Sequence, residues 1–372
     1  MRLTKAVINL NNLKKNYLNI RKKVDNRKIM AVVKADAYGH NVKFVTDFLN
    51  SLGNKKPEYY AVAIPDEGVE LRNLGIKQPI LVFDPLDKFQ AYKFLKYNLI
   101  PSVFTIEHLN ILMKEKRKSK NDKKIKVHVK IDTGMNRLGV DFDKAVKFIC
   151  NLSKNNNFVI DGIFTHFATS DIKGNSFTKL QIKRFDSVIR ELKKLNINYG
   201  LAHAANSGAI IDFHEAYYDM VRPGIALYGY YPSHQTSESI KLYPVMSIVS
   251  NVSTIKLLEK GETVSYGRRF KAKTPTKIIS VPLGYADGYP RALTNNAKGI
   301  IKGKVYNQIG TVAMDRIMFD VRNEKISVGD KIIILGSDNK NKFDAWDWSD
   351  LLNTIPYEIT CGISKRVPRV TK

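Results

Sequence analysis

Through about residue 230 the chain alternates short apolar runs with longer segments of helical period, and this alternation limits the fold more than any other feature. Eight such runs stand in the sequence: Ile29 to Val33, Tyr59 to Ala63, Pro79 to Phe83, Leu99 to Val103, Lys126 to Ile131, Val159 to Phe164, Leu201 to Ala204 and Asp219 to Val221. Segments such as Asn41 to Leu52 and Phe177 to Leu195 read as helices between them. Eight strand and helix repeats in this length predict a closed (β/α)8 barrel. After Tyr230 a turn-rich stretch, Tyr231-Pro-Ser-His-Gln-Thr-Ser-Glu-Ser239, ends the pattern. Strands without intervening helices follow: Val245 to Leu258, Lys277 to Val281, Ile317 to Val321 and Lys331 to Leu335, with turn signals at Glu259-Lys-Gly261 and Val328-Gly-Asp330. The expected fold is therefore α/β, a TIM barrel over residues 1–240 followed by a mostly-β domain over residues 241–372.

Composition bounds the function. With 372 residues, 44% of them hydrophobic, the chain has ample material for a packed core and lies outside the disordered range. Its 61 Lys and Arg against 35 Asp and Glu give a formal charge of +26, which raises the question of nucleic acid or anionic membrane partners. The densest basic run, Lys114 to Lys126, contains no aromatic residue for base stacking and reads as a solvated helix end and loop, so no nucleic-acid partner is expected. Cys150 and Cys361 form neither a CxxC nor a disulfide framework, which suits a reducing cytosol. No signal-peptide block opens the chain and nowhere do eighteen apolar residues run together, so a cytoplasmic protein without membrane association is expected.

In a barrel the chemistry sits where strands end and loops begin. Lys34 follows the first run, Arg137 lies just past the fifth, His166 follows the sixth, Ser207 the seventh, and Arg222 closes the eighth. A lysine rooted in an apolar strand sits beside a low-dielectric interior, where the neutral amine is favoured and can form a Schiff base with an aldehyde such as that of pyridoxal phosphate. Taken alone, Lys34 reads better as a lysine snorkelling from a strand end. Ser207 and the Arg222-Pro-Gly224 turn offer a hydroxyl and backbone N–H groups, the equipment a phosphate needs, although each alone is only a loop. Arg222 beneath a pyridine ring would leave the ring nitrogen unprotonated, because a guanidinium has no acceptor and keeps its charge; that weakens the electron sink and favours prompt reprotonation over decarboxylation or transamination. An arginine paired with a carboxylate is the alternative. Racemisation needs acid/base groups on both faces of a planar centre. Lys34 supplies one, and Tyr266 in Thr263-Val-Ser-Tyr-Gly267, exposed by a glycine-flanked turn, is the candidate for the other if a cationic neighbour assists a phenol that ordinarily titrates near pH 10.

Seven segments run in order from the first strand to the last ten residues: Ala31-Val-Val-Lys-Ala-Asp-Ala-Tyr-Gly-His40, Ile131-Asp-Thr-Gly-Met-Asn-Arg-Leu-Gly139, Thr165-His-Phe167, His203-Ala-Ala-Asn-Ser207, Val264-Ser-Tyr-Gly267, Gly284-Tyr-Ala-Asp-Gly-Tyr-Pro-Arg291 and Arg366-Val-Pro-Arg369. Together they resemble the motifs of the alanine racemases, fold-type III pyridoxal phosphate enzymes, across essentially the whole chain. The resemblance implies interconversion of L- and D-alanine by two bases, supplying D-alanine for peptidoglycan; a serine or broad-specificity amino-acid racemase of the same fold is the alternative. It implies that Lys34 carries the cofactor and works on one face of the substrate, while Tyr266 of a second subunit works on the other, so that a homodimer shares its active sites. Arg222 would face the pyridine nitrogen with His166 behind it. Tyr38, Ser207, Gly224, Ile225 and Tyr357 would hold the phosphate. Arg137 would bind the cofactor's phenolic oxygen and the substrate carboxylate, helped by the Met314 backbone of the second subunit. Lys130 matches a position carbamylated in many relatives, with an ordinary salt-bridged lysine as the alternative. Tyr285, Asp287 and Arg291 match residues of the substrate-access corridor, and no metal is implied. The sequence departs from the family pattern at Ala313, where cysteine is frequent, and at Asn41, where glycine is common.

Overall fold

A computed structural model describes residues 3–119 and 123–372. Eight strands, Lys28–Val32, Tyr59–Val62, Ile80–Pro85, Ile100–Val103, Ile125–Asp132, Phe158–Phe164, Leu201–His203 and Met220–Val221, pair in parallel. The sheet closes on itself where Ser102 and Val103 register with His128 and Val129. All eight fall on the runs read from the sequence, because a parallel strand covered on both faces shows an almost unbroken apolar stretch. Ile29, Met30 and Ala31, for example, are wholly buried in sequence. The helix expected over Asn41 to Leu52 is Val42–Asn50, with Asn41 as its cap, and that expected over Phe177 to Leu195 is Ser176–Lys194, capped by Asn175. The basic run from Lys114 lies partly outside the described residues, at 120–122. Its earlier part closes the helix Ile106–Ser119, with Lys116, Arg117 and Lys118 in the last turn, where cations complement the helix dipole.

The second sheet departs from the expectation in three places. Its strands Met246–Asn251, Thr254–Leu258, Thr276–Val281, Lys298–Ile301, Lys304–Ile309, Ile317–Arg322 and Lys331–Ser337 are joined by antiparallel pairings. The single run expected over Val245 to Leu258 is two strands. A hairpin not foreseen joins Lys298–Ile301 to Lys304–Ile309 through Lys302 and Gly303, both at positive φ (48° and 77°), the two-residue geometry whose twist matches that of paired strands. The strand Lys5–Ile8 does not enter the barrel. It pairs antiparallel with Met246–Asn251 and parallel with Arg369–Thr371, so the first and last strands of the described residues both lie in the second sheet, across the division expected at residue 240. Two helices near the C-terminus, Ala345–Leu352 and Pro356–Gly362, also went unpredicted, and the second carries Tyr357 back to the barrel. Among the described residues no helix is long and apolar enough to cross a membrane.

Candidate active site

Lys34 stands just past the first barrel strand, and the four residues after it, Ala35 to Tyr38, all take left-handed dihedrals, with φ between 51° and 55°. Each such residue costs roughly 1–2 kcal/mol for an L-amino acid, so the turn persists only because its surroundings fix it. Glu67 accepts from Ala35 N at 2.6 Å, and Asp36 Oδ1 accepts from Val42 N at 2.7 Å. The buried His40 donates from Nδ1 to the carbonyls of Ala37 and Tyr38 at 3.0 and 2.9 Å. Arg369 donates to Gly39 O at 3.0 Å and to the carbonyls of Ile363, Ser364 and Val367, which ties the C-terminal tail to this turn. At Gly39 (φ +80°) a Cβ would lie 2.2 Å from Thr360 O, so only glycine admits the approach. Asn41, where the family pattern favours glycine, also has positive φ, 71°; asparagine tolerates this region, and its side chain accepts from Phe44 N at 3.1 Å.

The left-handed turn sends Tyr38 inward. Its ring stacks on Tyr228 at 4.8 Å and tilts against Tyr357 at 5.9 Å. Its hydroxyl comes so near Gly224 that a Cβ there would sit 2.5 Å from it. Ser207 Oγ accepts from Gly224 N at 2.9 Å and from Ala226 N at 3.3 Å, which leaves its own O–H as a donor. Tyr38, Ser207, Gly224, Ile225 and Tyr357 thus converge on one side of a cavity of about 640 Å³ at the mouth of the barrel.

The remaining walls are cationic. Lys34, Lys130, Arg137 and Arg222 all line the cavity, against the carboxylates Asp84 and Asp171. Arg222 is 2% exposed and lies over the Phe164 ring. It donates to Thr165 O at 2.8 Å, Ala204 O at 2.9 Å and His203 Nδ1 at 2.9 Å, with His166 Nδ1 at 3.4 Å. His166 is half-buried among these cations; desolvation first, then Arg222 and Arg137, hold its pKa well below the ordinary range, so its imidazole is neutral. Lys130, 5% exposed on the strand Ile125–Asp132, has its pKa pushed down to about 8 by burial and by the charges of Arg137 and Arg222.

Ten of the twelve expected site residues, Lys34, Tyr38, Lys130, Arg137, His166, Ser207, Arg222, Gly224, Ile225 and Tyr357, therefore share one cavity within the chain. Tyr266 and Met314 do not. They project from the second domain, 73% and 51% exposed. Thr311 Oγ1 donates to Tyr266 O and Ser265 Oγ donates to Thr311 O, each at 2.6 Å, so the phenol stands on a firmly held turn. Beside it the backbone N–H groups of Tyr285 and Ala286 donate to Ala313 O and Met314 O, both at 3.1 Å. Of the expected corridor residues, Tyr285 is exposed on this same surface, whereas Asp287 is fully buried, accepts from Gly284 N at 3.0 Å and pairs with Arg366 at 3.3 Å. Neither these two nor Arg291 lines the cavity of its own chain. Sequence reasoning missed Glu67 and Arg369 as supports of the lysine-bearing turn. Glu67 carried a signal, an acid at the third helical position after Pro65, where it accepts from Ala63 N and Ile64 N.

A parallel barrel whose mouth gathers a strand-end lysine, further cations of which Lys130 and Arg222 are buried, and a cradle of hydroxyls and bared backbone defines an enzyme that holds an anionic group beside an amine. Residues 8–232 match the family described as alanine racemase, N-terminal domain, and residues 245–371 match alanine racemase, C-terminal domain. The chain belongs to the alanine racemase family and is an isomerase. It is 41% identical over 373 residues to alanine racemase 2 of Caldanaerobacter subterraneus subsp. tengcongensis, covering 100% of this chain and 95% of that one. Among solved structures it superposes on alanine racemase from Clostridium difficile 630 with a TM-score of 0.93 at 36% identity, covering 99% of this chain and 95% of that one. A histidine racemase from Leuconostoc mesenteroides subsp. sake also shares the architecture, with a TM-score of 0.91 at 25% identity over 100% of this chain and 98% of that one.

Proposed function

We propose that this chain interconverts L- and D-alanine with pyridoxal 5′-phosphate, in active sites each completed by a second copy of the chain, and that the product D-alanine feeds peptidoglycan synthesis. The observation that carries the reading is the division of the site: lysine, guanidinium and anion cradle share one cavity, while the exposed phenol of Tyr266 does not line the cavity of its own chain. The residues fit a phosphorylated pyridine aldehyde. At Gly224 any side chain would fill the space beside the Tyr38 hydroxyl, and four cations against two carboxylates suit a ligand that brings a phosphate and, with the substrate, a carboxylate.

Tyr38, Ser207, Tyr357 and the backbone at Gly224 and Ile225 would bind the phosphate, and Lys34 would hold the aldehyde carbon. When bound, the cofactor draws electrons from the substrate α-carbon, which makes its hydrogen removable as a proton. Lys34 exchanges that proton on one face, and Tyr266 of a second copy on the other. Arg222 can only donate, so it leaves the ring nitrogen without a proton and keeps electron withdrawal modest, favouring return of the proton over loss of the carboxylate. His166, neutral beside Arg222, adds no further charge there. Arg137, with the Met314 backbone of a second copy, orients the substrate carboxylate.

Lys130 would be carbamylated. Its lowered pKa leaves about a tenth of the lysine as free amine at pH 7, the form that attacks carbon dioxide; a nitrogen–carbon bond forms and a proton passes to solvent. The resulting anion would lie among Arg137 and Arg222 and orient Arg137, where an ammonium is repelled.

Borohydride treatment of the purified protein followed by peptide mapping tests the cofactor reading: the reduced cofactor is expected on Lys34, and a protein without visible absorbance or adduct contradicts it. Comparing kcat/KM for alanine, serine, lysine and histidine tests the substrate. Alanine is expected to lead, and a preference for another amino acid would make the chain a racemase of that substrate within the same family.

A further inference from the structure

The barrel interior holds a polar chain that takes no part in the proposed proton transfers. Interior positions of such barrels are ordinarily filled by branched apolar side chains. Here His128 and His203 are both fully buried. Arg222 Nη1 lies 2.9 Å from His203 Nδ1, His203 Nε2 lies 2.8 Å from His128 Nδ1, and His128 Nε2 lies 3.4 Å from Asp161 Oδ2. A guanidinium has no acceptor, so His203 Nδ1 accepts and the ring proton resides on Nε2. That N–H donates to His128 Nδ1, which places the His128 proton on Nε2, facing the carboxylate. Every donor therefore points the same way, from the cavity inward, and the chain ends on an anion.

The surrounding residues keep the wiring in place. A Cβ at Gly162 would stand 2.7 Å from His128 Cε1 and 2.8 Å from its Nδ1, so glycine makes room for the ring. Phe164 stacks on His203 at 5.0 Å with an interplanar angle of 3°, which fixes the plane in which Nδ1 meets Arg222. Asp161 is anchored by the Tyr59 hydroxyl at 3.0 Å and Lys126 at 2.8 Å. Burial holds both imidazoles below their ordinary pKa, with the Arg222 charge adding to it at His203 and Asp161 opposing it at His128.

We infer that His203, His128 and Asp161 are positioning residues that act through Arg222: their one-way chain of donors fixes the plane of the guanidinium and links its charge to a carboxylate deeper in the barrel, so that Arg222 meets the cofactor ring in a single orientation. The inference rests on Arg222 facing the ring nitrogen, as proposed above. A core merely filled by two satisfied histidines would need the hydrogen bonds but would not transmit anything to the cofactor.

Nitrogen-15 NMR of the histidine side chains, on the unsubstituted protein with and without cofactor, tests the wiring directly. Both rings are expected as Nε2–H tautomers at pH 8; an Nδ1–H tautomer in either overturns the inference. Two substitutions then test the coupling. H203F removes both contacts, whereas H203Q keeps one acceptor and one donor. H203F is expected to weaken cofactor binding and lower kcat by roughly tenfold each with little change in KM, and H203Q to recover most of both. If both variants bind cofactor and turn over like the parent, whatever their melting temperatures, the positioning role is overturned. Failure of the unsubstituted protein to bind pyridoxal phosphate at all would overturn the reading of the site, whereas an inverted tautomer overturns only the chain behind Arg222.

Discussion

The barrel mouth and the Tyr266 surface belong to one chain but are built to opposite rules. At the mouth, Arg222 is buried and committed to several acceptors, Tyr38 is clamped between aromatic rings, and the lysine-bearing turn is held in left-handed dihedrals by four separate anchors. On the second domain the backbone is equally well fixed, by Thr311 and Ser265, yet the side chains of Tyr266 and Met314 stand in the open. Binding and electrostatics are thus assembled within a chain, because a cradle of buried charges must be shaped in place. Under the proposed function the second acid/base group, Tyr266, stands on this firmly held turn so that another copy can dock it over a cavity.

The largest expected effect breaks this contrast on its exposed side. Tyr266→Phe removes a group from a surface position and should leave melting temperature and cofactor binding unchanged. It should nevertheless slow turnover by about 10²- to 10⁴-fold, the usual value of a positioned acid or base, and slow proton abstraction from one enantiomer much more than from the other in deuterium-exchange measurements. Equal slowing from both sides would contradict the division of labour between Lys34 and Tyr266.

Gly224→Ala strikes the buried side. The added methyl meets the Tyr38 hydroxyl at 2.5 Å, and overpacking of this kind costs about 1–3 kcal/mol. Cofactor binding, followed by fluorescence, should therefore weaken, with the dissociation constant rising roughly 5- to 150-fold.

Lys130 gives the smallest effect and carries a definite sign. Its folded pKa of about 8 lies below the unfolded value, so between pH 8 and about 10 the unfolded chain holds a proton that the folded chain has released. Stability in carbon dioxide-free buffer should rise with pH across that window, by on the order of 2–3 kcal/mol, with the cost of the buried ammonium fully present below pH 8. Lys130→Met should lack this rise in denaturant melts. Intact-mass spectra in bicarbonate should show one carbon dioxide added to the parent and none to the variant.

What the sequence made legible follows the same division. The eight barrel strands stand out because each is buried on both faces, and the mouth residues stand out because they follow those strands directly. The Lys5–Ile8 strand was not legible: four residues pair with segments more than two hundred positions away, and nothing local marks that partner. Helix Pro356–Gly362 is short, and only its opening proline hints at it. His128 and Asp161 were hidden for a different reason. Asp161 is the one charged residue of its run and His128 alternates with Lys126 and Lys130 in its own, so each reads as an outward-facing position until the neighbouring strands reveal what it meets.

The shared site is tested most directly by co-expressing chains carrying Lys34→Ala with chains carrying Tyr266→Phe, each nearly inactive alone. If lysine and phenol act from different copies, a mixed dimer contains one site with both groups intact, and a statistical mixture should recover about one quarter of the parent activity. If mixing restores nothing while mixed dimers form, the two groups do not meet across an interface, and the account of the active site fails.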